Sequence, residues 1–211
     1  MRSHARRPAF AAAVVGTLMV LSTASAGATS TVFLDSSTVQ LATAQFASTN
    51  GCLDTAAQVS TTLRQERTGS ATPVRSALAD ASLFLFDHCA NVSLLQAQGR
   101  AYVSGGEFQI DSRLTAAHLA TRFRMYDQVS STYFRLDVDV TWTATGPAQT
   151  TLHRFRQHSD GSTSIDISRE TRSDANATAS LARGRTTLFS GGSYYGLLYA
   201  LKHVHLLIDD T

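Results

Sequence analysis

The sequence predicts an all-β protein, a single antiparallel sandwich or barrel stapled by one disulfide. Three observations carry the prediction. Between Tyr133 and Thr143, Phe134, Leu136, Val138, Val140 and Trp142 alternate strictly with charged or hydroxyl residues. A helix does not produce that period of two. Runs of the same kind recur from Val39 onward, and no long low-complexity stretch or proline cluster marks a boundary. The chain also holds two cysteines, Cys52 and Cys89, which in an exported protein form one structural bridge. Closing so long a loop stabilises by roughly 4 kcal/mol in the chain-entropy model.

Taken in order, the first element is not part of the fold. Arg2, Arg6 and Arg7 precede an apolar run from Ala9 to Leu21, and Ala24-Ser25-Ala26 supplies small residues at a cleavage point. This is the plan of a secretory signal peptide over 1–26, and the run is too short to span a bilayer. The expected localisation is secreted, with no integral membrane segment after cleavage. Residues 27–211 form one β domain. Removing the three leader arginines turns the formal net charge from +2 to −1, so the basic pI argues for neither nucleic acid nor an anionic membrane. A single lysine, Lys202, among 18 basic residues reads as codon bias in a GC-rich, bacterial source.

Val39 to Phe46 and Ala57 to Gln65 are the first strands. Leu83 to Asp87 leads through Cys89 into Leu95–Val103, making a hairpin. A second hairpin pairs His118–Tyr126 with Tyr133–Thr143 across the polar stretch 127–132. Because both apolar sets face the core, paired numbers sum to an odd value. A sum of 261 sets Arg124 against Asp137 and Arg122 against Asp139; a sum of 259 sets Arg122 against Asp137. Asp87 and Asp127 close corresponding strands 40 residues apart, the mark of a recurring meander. Thr150–His158, Ser162–Arg169 and Ala177–Leu188 read as shorter strands. Tyr194–Ile208 fits helix and strand patterns alike and is assigned to a strand. Ser190 to Gly196 reads as a flexible turn, since Tyr195 stands where the second glycine of a nucleophile turn belongs.

Val138-Asp139-Val140-Thr141-Trp142-Thr143-Ala144-Thr145-Gly146 resembles a segment of uncharacterised secreted bacterial β-proteins, in which it follows a similar hairpin. The resemblance covers Leu83 to Gly146. It implies secretion and β architecture, and no activity.

No motif assembles a catalytic set, so no catalytic residue, metal or cofactor is expected. His203 and His205 share a strand face, but a metal site needs three or four converging ligands. Asp137 and Asp139 face arginines and stay ionised. Arg154, Arg156, Arg169, Arg172, Arg183 and Arg185 tint the C-terminal third, but Asp160, Asp166, Glu170 and Asp174 largely cancel them. Without a stacking platform there is no nucleic-acid partner. The expected function is that of a non-enzymatic secreted β-domain binding an extracellular protein or cell-wall polymer, with Tyr194, Tyr195 and Tyr199 as the candidate patch. The alternative is an extracellular hydrolase whose site gathers His, Asp or Ser in a pocket.

Overall fold

Ten antiparallel strands follow one another along the chain in a computed structural model that describes residues 31–159 and 161–209. They are β1 (Thr31–Asn50), β2 (Leu53–Thr68), β3 (Val74–Asp87), β4 (Val92–Tyr102), β5 (Phe108–Ile110), β6 (Ala116–Asp127), β7 (Thr132–Ala144), β8 (Gln149–Ser159), β9 (Ser162–Arg183) and β10 (Thr186–Asp209). The signal segment expected over 1–26 lies outside the described residues, as does Asp160.

Sandwich or barrel is decided by closure. The hydrogen-bonded order β10-β1-β2-β3-β4-β6-β7-β9 returns to β10, so eight strands make a ring. An eight-stranded ring is just wide enough for side chains to fill, and here they do. Trp142, Phe46, Phe108 and Phe123 are fully buried inside, and alanines such as Ala42, Ala44 and Ala79 make room for them. Outside, Arg122, Arg124, Arg135, Asp137 and Asp139 stud the wall. That wall is unlike the apolar band of a transmembrane barrel.

Local chemistry sets each turn. Gly51 and Gly184 take positive φ, 59° and 61°, at the start of two-residue hairpin turns. The β3–β4 and β6–β7 connections share one design. Asp87 Oδ1 accepts from the N–H groups of Cys89 and Ala90 at 3.0 and 2.9 Å. Asp127 Oδ1 accepts from Val129 N–H at 3.0 Å. Both loops end on a left-handed residue, Asn91 and Ser131. Asp127 also accepts from Gln96 N–H of β4 at 3.2 Å, which ties the turn to the barrel seam. At that seam β4 and β6 share only three pairs, and Gly99 faces Met125. A Cβ on Gly99 would sit 2.6 Å from Met125 Sδ and 2.8 Å from the Arg124 carbonyl oxygen.

The central hairpin takes the 259 register, with Arg122 opposite Asp137 and Arg122 Nε donating to Asp137 Oδ1 at 2.5 Å. Asp139 meets His118 at 3.2 Å and not an arginine. Arg124 lies over the Tyr133 ring, 4.2 Å from its centre. Cys52 and Cys89 are bonded, with Cα atoms 5.3 Å apart. The bridge joins the β1–β2 and β3–β4 turns at one end of the barrel.

Two assignments near the C-terminus need correction. Ala177–Leu188 is not one strand, because the β9–β10 turn falls inside it at Gly184-Arg185. A two-residue turn barely interrupts alternation, which hid it. Ser190–Gly196 is not a turn but part of β10, where Ser190, Gly191 and Gly192 pair with Ser180, Ala179 and Thr178. Gly196 serves close packing instead: a Cβ there would collide with the Ala175 carbonyl. The strand assignment for Tyr194–Ile208 holds, with a bulge at Tyr194 where the pairing with β1 shifts.

β9 and β10 are longer than the barrel. β7 pairs with β9 only over Ala175–Ala182, and β8 takes up β9 over Ser162–Arg172. Beyond Leu198 the strands β8, β9, β10, β1, β2 and the start of β3 therefore run on as an open extension with a free edge at β8.

Candidate functional site

The extension has two faces, and the register says which side chains share each. On β1 and β10 the inward positions Ala42 and Leu198 are fully buried. Stepping outward by twos from them follows the same face into the extension. Directly paired residues on β8, β9, β2 and β3 belong to it too.

That face carries Arg67, Arg75, Arg154, Arg156, Arg169 and Lys202, together with His158. From the rim of the barrel outward it carries no aspartate or glutamate among the described residues. All six cations are exposed, and none makes an ion pair with another described residue. Between them runs an aliphatic strip. Ile165, Leu206 and Leu34 lie in one cross-strand row, and Ile167 and Val204 are neighbours in the next. Val32, beside Ile208, is 57% exposed, and Leu152 on β8 is 60% exposed.

Asp166, Glu66 and Asp174 lie on the opposite face, where they are already engaged. Asp166 Oδ1 is 2.8 Å from His205 Nδ1 and 3.2 Å from His203 Nε2. Glu66 pairs with Arg64 at 2.5 Å, and Asp174 with Arg172 at 3.4 Å. Charges that cancel in the sequence are thus separated in space. The signal was present in the parity of the strands: Arg154 and Arg156 fall on one parity of β8, and their β9 partners Ile167 and Ile165 exclude Asp166 and Glu170 from that face. Reading it required the pairing register, which the sequence alone does not state.

Tyr194, Tyr195 and Tyr199 lie on β10 near the rim. Tyr194, on the bulge, is 69% exposed and donates its hydroxyl to Gln45 Oε1 at 2.8 Å. Tyr195 is 39% exposed, and Tyr199 is half-buried on the outer face, with Leu41 and Arg172 as strand partners. Burial first, and then the nearby Glu170 carboxylate, raise the Tyr199 phenol above its usual range. The bulge parts Tyr194 from the other two.

Other groups have defined surroundings. His203, His205 and Asp166 make a solvent-facing cluster of two imidazoles and one carboxylate. Cys52, Cys89 and His88 also gather ligand atoms, but both sulfurs are spent on the disulfide. A surface depression over β2–β4 is bordered by Gln58, Ser60, Asp80, Ser82, Gln98 and Arg100 and contains no histidine. Its carboxylate, Asp80, is held by Arg100 Nε at 2.7 Å. Among the described residues no helix is long and apolar enough to cross a membrane. Comparison with protein families, curated proteins and solved structures finds no match.

Proposed function

We propose that the chain is a secreted, non-enzymatic β-barrel domain that binds an extracellular or cell-surface partner through its extension. One observation carries the reading: six cations with no ion-pair partner among the described residues and a half-exposed aliphatic strip share a single face, while the described acids of the extension are on the other. Unpaired like charges repel one another, and exposed aliphatic surface is costly. A face that keeps both is suited to a ligand. Secretion is supported by the leader pattern of 1–26 and by a disulfide that persists in oxidising compartments. The resemblance of Val138–Gly146 to secreted bacterial β-proteins points the same way.

The test is a pull-down with the secreted protein against culture supernatant and cell-envelope fractions. Saturable retention that Arg154→Glu/Arg156→Glu abolishes is expected, and retention by neither fraction refutes the reading. Terminal sequencing of the secreted material should begin at Gly27, or at Thr29 after Ala26-Gly27-Ala28, and a start at Met1 refutes export.

A further inference from the structure

The composition of the basic face names the chemistry of its partner. We propose that it docks on an anionic phospholipid surface, with the aliphatic strip entering the headgroup–acyl boundary and the surrounding cations taking lipid phosphates. This rests on the reading of the chain as an exported binding domain.

Three features select this occupant. The first is charge complementarity. All six cations have one sign and lack a carboxylate partner among the described residues, so an anionic ligand meets no repulsive carboxylate there. The second is spread. The cations run from Arg154 on β8 to Arg75 on β3, six strands at a spacing of about 4.8 Å and so about 24 Å along the sheet. One small headgroup does not reach across that span, whereas a lipid surface presents phosphates throughout it. The third is the strip itself. Leu34, Ile167, Val204, Leu206 and Ile208 are only half-buried, and a wholly polar polyanion has no use for them. Amphipathic surfaces that lie in a bilayer interface combine buried apolar area with attraction to anionic lipid in this way. Nucleic acid fits less well, because among the described residues no phenylalanine, tyrosine or tryptophan stands on this face to stack a base. Phe155 and Tyr199 both point to the other side.

Self-association through the free β8 edge is the competing use of the same element. It is disfavoured because antiparallel pairing of two copies would bring Arg154 and Arg156 against their own kind.

The experiment is flotation of the secreted protein with phosphatidylcholine vesicles, with and without phosphatidylglycerol. Binding is expected only with the anionic lipid and should fall with added salt. Arg154→Glu/Arg156→Glu should weaken it by more than about 25-fold, about fivefold for each lost positive charge with the two added carboxylates weakening it further. Leu34→Asn/Leu206→Asn should weaken it as well. Arg135→Glu/Arg185→Glu, which changes the net charge equally but at the opposite end of the barrel, should leave it intact. Far-UV circular dichroism of every variant checks that the fold survives. Equal binding to both vesicle types, binding to neither, or full competition by soluble polyphosphate with the leucine variant unaffected would each overturn the lipid assignment. If vesicles fail while an envelope or supernatant partner is still retained, only this inference falls. If nothing is retained anywhere, the binding reading falls with it.

Discussion

Trp142 is fully buried in the barrel, yet its ring N–H has no acceptor among the described residues. The side chain shares its face with Phe134, Leu136, Val138 and Val140, as its strand pattern requires. Two substitutions separate packing from polarity. Trp142→Ala should cost about 3–5 kcal/mol through lost burial and a cavity. Trp142→Phe removes the unpaired N–H, recovering about 1–3 kcal/mol. It also vacates the space of about two carbons, costing about 1.6 kcal/mol at ~0.8 kcal/mol each. The net change therefore lies between a gain of about 1.4 and a loss of about 0.6 kcal/mol. Urea unfolding followed by far-UV circular dichroism reads both variants, since each removes the only tryptophan and with it the natural fluorophore. In the unaltered protein, emission should be blue-shifted and resistant to iodide. A Trp142→Phe loss of about 3 kcal/mol or more would refute the reasoning, because it would mean that the N–H is hydrogen-bonded.

Other outcomes follow from the same structure. Gly99→Ala should destabilise by about 1–3 kcal/mol through overpacking against the Arg124 carbonyl and Met125, read as a lower urea midpoint; an unchanged midpoint would mean the seam is slack. Replacing Cys52 and Cys89 together by serine should cost about 2–5 kcal/mol, and thermal unfolding with intact and reduced protein checks it. Burial pushes the Asp127 carboxyl up, but the Ser130 hydroxyl and the N–H groups of Gln96, Val129 and Ser130 outweigh it and hold its pKa below the usual range. Its stabilisation is therefore present above the ordinary carboxylate pKa and is lost as pH falls through the depressed folded value. Asp127→Asn should flatten the acid limb of a stability–pH curve and cost about 1.5–3 kcal/mol at neutral pH, and an acid limb identical to that of the unaltered protein would exclude Asp127 as its source.

Much of the barrel was legible because period two is a strong signal where one face is buried. Phe134 to Trp142 and the odd-sum rule followed from it, the rule leaving sums of 259 and 261 open until the structure selected 259; the Cys52–Cys89 bridge followed from two cysteines in a chain read as exported. What escaped was non-local or nearly silent in pattern. The tight turn at Gly184 preserves alternation on both sides. Gly191, Gly192 and Gly196 read as punctuation, although Gly196 answers a close approach to β9. The candidate face was invisible to a charge count, because Arg154 and Asp166 cancel in a sum while facing opposite ways. The tyrosine patch, named from exposure and aromatic content, proved to straddle a bulge.

Most pairings in this barrel join near neighbours in sequence, but the ring is completed by β1 against β10, from Val32 beside Ile208 to Phe46 beside Ser193. Threaded N-terminus first, such a chain has its first strand waiting with one edge unsatisfied until its last strand arrives. Hairpins such as β6–β7 can form early at low entropic cost, whereas closure must bring together segments separated by nearly the whole length. Folding is in consequence a terminal event: the hairpins stay an open sheet with two unsatisfied edges until β10 reaches β1 and converts them into a ring.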